Sequence, residues 1–403
     1  MSITTVKHWH FVGFDVKTAF LHGILEENIL MEVPEGYNEN NKVCKLAKSL
    51  YGLKQAPMIW NKVFTNFLKQ NGLTQLDSEQ CIFVNDCKDL ILAIYVDDGY
   101  ITGSDISKID TLLKELKSEF DVTVYKTLNS FLGLEFLKIP CGLKIKQEEY
   151  ARRLLEKFNM TNSKSVATPL ECYEPTNNKT YNIKFPFREA IGSLLYLSNR
   201  TRPDLSFAVN YCSRFVENPS ESSVNNIKRC LRFINGTLKN GIVFKNDSNL
   251  NVIEAYCDYD FAEDPETRRS TTGFVIFYGG GPIAWCSRRQ PMVTTSSTEA
   301  EFVAAAECTK ELLYLSEVIH ELTGQRVRIN LSIDNQSAMC LIKNGVLNKR
   351  SKHIDVRYKF ISEKLKDGFL NIQYCPSDKQ VAEIFTKPLK NVKFSNFKSM
   401  IVF

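Results

Sequence analysis

Leu90-Ile91-Leu92-Ala93-Ile94-Tyr95-Val96-Asp97-Asp98-Gly99-Tyr100-Ile101-Thr102 is the stretch on which the reading of this chain turns. The apolar run Leu90 to Val96 has the pattern of a buried strand, and Gly99 to Thr102 restarts as another, so Asp97-Asp98-Gly99 is expected at a hairpin turn. Consecutive side chains of an extended strand point to opposite faces. A tight turn relaxes that rule and lets both carboxylates approach one site, where like charges are tolerable only if cations hold them. For the tripeptide alone a solvated turn is the plainer reading. A further acid changes the balance: Asp15 ends the apolar strand Phe11 to Phe14, just before the helix-like KTAFLHG of residues 17–23. Asp is also a good helix N-cap, which is the bland account of Asp15. Phosphoryl transfer, however, needs two divalent cations clamping the attacking and leaving oxygens, and hard Mg²⁺ takes carboxylate ligands. Asp15, Asp97 and Asp98 are candidates for that set.

Around this stretch lie 403 residues, 43% hydrophobic and 24% charged, enough apolar material for two or three cored domains. The formal net charge is only +5, so bulk charge does not establish a nucleic-acid partner. Twelve cysteines are scattered singly with no C-x-x-C pair, which favours reduced, mostly buried thiols over a disulfide framework. The opening residues have no apolar stretch of signal-peptide length, and the Leu90–Val96 run falls far short of the ~20 residues that span a bilayer. A soluble intracellular chain with no membrane partner is expected.

Short apolar runs alternate with helical stretches up to about residue 170, as in an α+β domain. Residues 173–249 read as a mostly helical connector, with IGSLLYLSNRTRPDLSFAVNYCSRF and SVNNIKRCLRFINGTLK as its periodic parts. From Asn251 the order becomes three strands, a long helix, and then alternating strands and helices, with acids at element ends.

The runs FDVKTAFLHGILEENILMEVPEGY (14–37), SLYGLKQAPMIWNKVF (49–64) and LAIYVDDGYITG (92–103) resemble the three central motifs of copia-type reverse transcriptases, in order and at family spacing. Further matches run through FLGLEF, ATPL, REAIGSLLYLSNRTRPDLSFAV and RSTTGFVIFYGGGPIAWCSRRQPMVTTSSTEAEFVAAAE, so the resemblance covers nearly the whole chain. It implies an N-terminally truncated reverse transcriptase plus ribonuclease H region of an LTR retrotransposon Pol polyprotein. The expected fold is an α+β palm with partial fingers and thumb, a helical connector, and an α/β ribonuclease H-like domain with a mixed five-stranded sheet. The expected bounds are 1–172 for the reverse transcriptase, 173–249 for the thumb and connection, 250–390 for the ribonuclease H-like domain and 391–403 for a tail.

The resemblance further implies that Asp15, Asp97 and Asp98 bind two Mg²⁺, with Mn²⁺ as a substitute, and that Phe20, Gln55 and Tyr95 face the substrate. A flat Phe20 under the incoming sugar would clash with a 2′-hydroxyl; its plainer role is core packing. In the C-terminal part Asp258 follows a strand, Glu301 lies on the long helix and Asp334 ends another strand. Singly each reads as a cap or a solvated face. Together they resemble the metal-holding carboxylates of ribonuclease H, which hydrolyses the RNA strand of a hybrid. Glu301 is preferred to Glu299 because E-F-V-A-A-A sets small and apolar residues toward the sheet. Glu383 stands where the family has Asp, on a longer arm, and His353 occupies a position near the scissile-strand site. Lys359 replaces a usual His, and Met58 replaces an Arg suited to bidentate phosphate contact.

Only fourteen residues precede Asp15, so the basic fingers strands of the family are expected to be incomplete. The implied partners are RNA template, DNA primer, RNA/DNA hybrid, deoxynucleotides and the remainder of the polyprotein. The implied location is a cytoplasmic virus-like particle, with the nucleus as an alternative. Two competing expectations are a fragment active only as a nuclease and a remnant that binds hybrid without catalysis.

Overall fold

The computed structural model describes residues 1–37, 42–125, 130–173, 184–264, 266–344 and 352–403. They form two compact units. One comprises His8–Leu132 with His320–Gly324, the other Met1–Lys7, Gly133–Ile319 and Gln325–Phe403.

The first unit is built on a six-stranded antiparallel sheet. Its strands run in the order Leu73–Gln75, Ile82–Asn85, Leu90–Tyr95, Asp98–Gly103, His10–Val16, Val122–Tyr125. Every second residue of the His10–Val16 strand, Val12, Phe14 and Val16, enters one core with Leu92 and Ile94, as the two-residue period of a strand requires. Two helices cover that core. Ala56–Gln70 contributes Trp60, Phe64 and Leu68, and Ile106–Glu119 contributes Ile109, Leu112, Leu113 and Leu116 at helical spacing. The second helix begins where Asp105 accepts the Ser107 N–H at 2.8 Å, a normal N-cap.

The hairpin turns one step earlier than the sequence suggests. Tyr95 and Asp98 are already paired across the strands, so the loop is Val96-Asp97, while Asp98 and Gly99 belong to the returning strand. Val96 has φ 60°, a left-handed conformation that a β-branched residue adopts only under constraint. Two bonds supply it: Trp60 Nε1–H donates to the Val96 carbonyl at 2.6 Å, and Val16 N–H donates to the Asp97 carbonyl at 2.9 Å. A two-residue loop of this kind matches the twist of the flanking strands.

The second unit joins three antiparallel strands, Leu134–Ile139, Gly142–Lys146 and Gly241–Lys245, to helices Glu148–Lys157, Phe187–Arg200, Ser206–Ser213 and Glu221–Asn235. It also holds a mixed five-stranded sheet ordered Gly281–Arg289, Thr271–Tyr278, Val252–Asp260, Arg328–Ile333, Asn371–Tyr374. The first three strands are antiparallel, and Val252–Asp260, Arg328–Ile333 and Asn371–Tyr374 are mutually parallel. One hydrophobic core runs from Leu154 and Leu155 through Leu194, Tyr211 and Leu231 to Val275, Ile384 and Phe385. Residues from both sides of position 249 contribute to this core. Residues 391–403 are not a tail: Asn391–Ile401 is a helix, and Phe394, Phe397 and Ile401, at i, i+3 and i+7, bury one of its faces in that core. All twelve cysteines are unpaired thiols. No helix among the described residues is long and apolar enough to cross a membrane.

Gly99 pairs with Phe14, and a β-carbon there would lie 2.0 Å from the Phe14 ring. Gly99→Ala should therefore destabilise the first unit by about 1–3 kcal/mol, read as a lower thermal midpoint. Phe14→Leu in the same chain should remove part of that penalty, so the double variant falls by less than the two singles summed. A Gly99→Ala protein as stable as the parent would contradict the packing described.

Candidate active sites

In the first unit, Asp15 and Asp98 are register partners on adjacent strands, and Asp97 occupies the turn immediately before Asp98. All three are half-buried. Burial raises the Asp15 carboxyl above its usual range, Asp97 raises it further, and Lys17 opposes both. Asp98 is likewise raised by burial, then by Asp15 and Asp97. The three acids share one locus and repel one another.

Phe20 lies in the short 3-10 turn Ala19–His22 that follows the Asp15 strand, and it is almost wholly covered. Tyr95 ends its strand beside the turn and is exposed. Gln55 stands at the N-terminus of helix Ala56–Gln70, half-buried. In the same segment Tyr51 lies against Phe20, with ring centroids 4.6 Å apart, and its hydroxyl is raised by burial, then by Asp97 and Asp15. Sequence reasoning missed it, although it sits in the same quoted run, SLYGLKQ.

The second unit gathers its carboxylates more tightly. The parallel register Tyr256↔Ser332 places Asp258 and Asp334 two residues further along on neighbouring strands, at the same end of the sheet. Glu301 reaches them from the first turns of helix Ser297–Thr323. One ligand oxygen from each of Asp258, Glu301 and Asp334 lies within 4.8 Å of the others, the one such set among the described residues. Glu301 is fully buried, and neither of its carboxylate oxygens has a hydrogen-bond partner. Burial of a bare carboxylate costs several kcal/mol unless it is neutralised. An orphaned buried acid facing two others, with oxygen donors only, fits a hard divalent cation. Glu299 faces elsewhere: it accepts the Thr295 N–H at 2.6 Å and the Thr295 hydroxyl at 2.8 Å, a capping arrangement.

Neighbours fix the set. Thr386 Oγ1 donates to Asp258 Oδ2 at 2.5 Å, and Ser377 Oγ donates to Asp334 Oδ2 at 3.0 Å. Gly273 pairs with Asp258 and leaves room for the Val381–Phe385 turn, because a β-carbon there would meet Thr386 at 2.6 Å and Phe385 at 2.7 Å. Lys387 Nζ stands 3.9 Å from both Asp258 Oδ2 and Glu383 Oε1. Glu383 is buried but is not brought into the oxygen set; its other oxygen lies 2.5 Å from Lys393 Nζ on the closing helix. The helix Lys352–Lys366 carries His353, whose side chain lies outside the described residues. Thr386 and Lys387 adjoin Glu383 in the run Ile384-Phe385-Thr386-Lys387, so proximity in sequence was the signal available for them.

Residues 1–172 match the family model described as reverse transcriptase (RNA-dependent DNA polymerase). The chain is 38% identical over 404 residues to the retrovirus-related Pol polyprotein from transposon TNT 1-94 of Nicotiana tabacum, a match covering 96% of the chain and 30% of the relative. It is 36% identical over 413 residues to the Pol polyprotein from transposon RE1 of Arabidopsis thaliana, covering 100% of the chain and 28% of the relative. Among solved structures, ribonuclease H1 from Halobacterium salinarum aligns with 34% of the chain and 94% of its own length, at 17% identity and TM-score 0.26. Along its length the chain is similar to the Pol polyproteins of plant transposons, and its residues 1–172 carry the match to the reverse transcriptase family. It spans less than a third of the length of these relatives.

Burial pushes Asp258 from 3.8 up to about 7, with Lys387 and Thr386 pulling down and Asp334 and Glu383 pushing up; Glu301 is raised well above its usual range, first by burial. An unfolded chain ionises Asp258 from about pH 4, whereas the folded, cation-free protein does so only near 7, so this contribution to stability is present at low pH and lost as pH rises through that window. The cation-free thermal midpoint should therefore fall between about pH 5 and pH 7.5. Asp258→Asn should flatten that decline, and Mg²⁺ should raise the midpoint of the parent at the upper pH more than that of the variant. A parent midpoint that rises across the window would refute the assignment of a strained, uncompensated carboxylate.

Proposed function

We propose that this chain is an RNA-directed DNA polymerase joined to a ribonuclease H, copying element RNA into DNA and cutting the RNA strand of the resulting hybrid. The observation that carries the nuclease half is Glu301, buried with both oxygens unpartnered beside Asp258 and Asp334. The polymerase half rests on the family match over residues 1–172 and on Asp15, Asp97 and Asp98 converging at one hairpin. In this reading the six-stranded sheet is the palm, residues 173–249 form the thumb and connection, and 250–390 the ribonuclease H-like domain.

Asp15, Asp97 and Asp98 would hold two Mg²⁺ in the first site, and Asp258, Glu301 and Asp334 would hold two in the second. When bound, such cations supply Lewis-acid stabilisation of the charge that develops on the transferring phosphoryl group. The protein's own share is orientation and exclusion of water. Thr386 and Ser377 fix the oxygens of Asp258 and Asp334 by hydrogen bonds. Lys387, held close by Asp258 and Glu383, keeps its proton: burial alone would lower its pKa, but the surrounding carboxylates more than reverse that. It therefore offers a fixed positive charge beside a polyanionic substrate. Glu383, tied to Lys387 and Lys393, orients that cationic side of the site. The partners are an RNA template, a DNA primer, deoxynucleotides and the hybrid product.

Two assays on the full chain in Mg²⁺ separate the halves. Asp97→Asn with Asp98→Asn should abolish primer extension while leaving hybrid cleavage within about twofold, because the two carboxylate sets are distinct. Glu301→Gln should do the reverse, lowering cleavage by about 10²-fold or more, the size of effect expected when a principal electrostatic stabiliser is lost. Hybrid cleavage at the parental rate by Glu301→Gln would sink the nuclease assignment.

A further inference from the structure

Strand Val252–Asp260 runs two residues past Asp258: its last rung pairs Asp260 with Thr271, and two rungs further in Asp258 pairs with Gly273. Both residues of that last rung are gripped by side chains from outside the sheet. Arg214, which closes helix Ser206–Ser213, donates from Nη2 to Thr271 Oγ1 at 3.1 Å. Its Nη1 donates to Asp264 Oδ2 at 3.0 Å, in the loop that follows Asp260. On the other strand of the rung, the Tyr173 hydroxyl donates to Asp260 Oδ2. Tyr211 joins the two arms: the Arg214 guanidinium lies 5.3 Å from its ring centroid, and the Tyr173 ring lies 5.4 Å from it at an angle of 64°. Asp264 is itself held in place, accepting the Thr267 N–H at 2.9 Å and an Arg289 Nη1–H at 3.0 Å. The Arg214–Asp264 pair is a poor source of stability. The two side chains are only 7% and 5% exposed, and the Arg214 Nε–H is buried with no hydrogen-bond partner among the described residues. Taking both charges out of water offsets much of their attraction, so apolar residues of similar volume would join these elements as firmly. What a planar, forked donor adds is direction.

We propose that Arg214 and Tyr173 are positioning residues of the nuclease site, clamping the last rung of the acid-bearing hairpin and so setting where Asp258 meets Glu301 and Asp334. This rests on the nuclease reading of the second unit. Three carboxylates gathered at one point push one another apart. Glu301 is held by a long helix, whereas Asp258 stands two residues from the end of its strand, where a ladder opens most readily. The clamp closes that end. Arg214 is too buried to meet a hybrid itself, so its loss reaches turnover through the strand that carries Asp258 and leaves substrate binding in place. Groups that orient a metal-holding side chain from behind govern both cation affinity and rate.

The test uses the full chain and a labelled RNA/DNA hybrid in Mg²⁺, reading kcat and KM for cleavage, with Mn²⁺ affinity measured separately without hybrid. Arg214→Gln should lower kcat about tenfold or more while KM stays within about twofold. It should also weaken by about tenfold the class of Mn²⁺ site that Asp258→Asn with Glu301→Gln removes, and leave the other class unchanged. Tyr173→Phe keeps the ring against Tyr211 and loses only the hydroxyl, so it opens one arm without disturbing the helix. It should lower kcat about threefold or more at an unchanged thermal midpoint. Arg229→Gln is the control: Arg229 bonds Thr168 at 3.0 Å and Glu171 at 2.9 Å instead of the hairpin, and its variant should cleave within about twofold of the parent. A parent that cleaves, with Arg214→Gln and Tyr173→Phe proteins that cleave and bind Mn²⁺ equally well, would overturn the proposal while leaving the nuclease reading intact. An Arg229→Gln protein as impaired as Arg214→Gln would also overturn it, by assigning the loss to a general loosening of the unit. A parent that binds the hybrid but does not cleave it would overturn the nuclease reading, and this proposal with it.

Discussion

Buried carboxylates of like charge are the constraint around which the second unit is arranged. Asp258 and Glu301 are removed from water together, and Glu301 has no hydrogen-bond partner at all. Left bare, such a pair costs several kcal/mol, a large fraction of the 5–15 kcal/mol that typically holds a domain together. The parallel pairing of Val252–Asp260 with Arg328–Ile333 forces Asp258 and Asp334 side by side, and the packing of helix Ser297–Thr323 forces Glu301 against them. Gly273, Thr386, Ser377 and Lys387 then make the arrangement tolerable without neutralising it. What is left uncompensated is the carboxylate of Glu301.

The first unit meets the same repulsion by a different route. Its acids are half-buried at the edge of water, so desolvation is milder, and the strain falls instead on the backbone at Val96. Trp60 and Val16 hold that turn by its two carbonyls. Helix Ala56–Gln70 therefore does more than cover the sheet: through Trp60 it sets where Asp97 and Asp98 sit relative to Asp15.

Much of this was legible in the sequence because the decisive features are local. The alternation in Leu90–Tyr95, the glycine after the paired aspartates, and the acids at strand ends carry their own periodicity and turn chemistry. The preference for Glu301 over Glu299 could be reasoned from flanking small residues, and Glu299 indeed spends its carboxylate on Thr295. Features that depend on register or on distant packing were not legible. The turn falls on Val96-Asp97 because cross-strand pairing, which no single strand reveals, already claims Asp98. Residues 391–403 looked like a tail because a short helix with three apolar residues is indistinguishable from one until a core accepts it. The contact of Tyr51 with Phe20 joins two separate runs of the chain, so neither run alone shows it.

Two separate carboxylate sets, Asp15, Asp97 and Asp98 in one unit and Asp258, Glu301 and Asp334 in the other, are each proposed to hold divalent cations. Mn²⁺ titration of the full chain, followed by the electron paramagnetic resonance signal of the free ion, tests it without relying on turnover. The parent should bind in two classes of site. Asp258→Asn with Glu301→Gln should remove one class, Asp97→Asn with Asp98→Asn should remove the other, and each pair of changes should leave the remaining class with its affinity unaltered. Loss of both classes by either double variant, or of neither, would contradict the account.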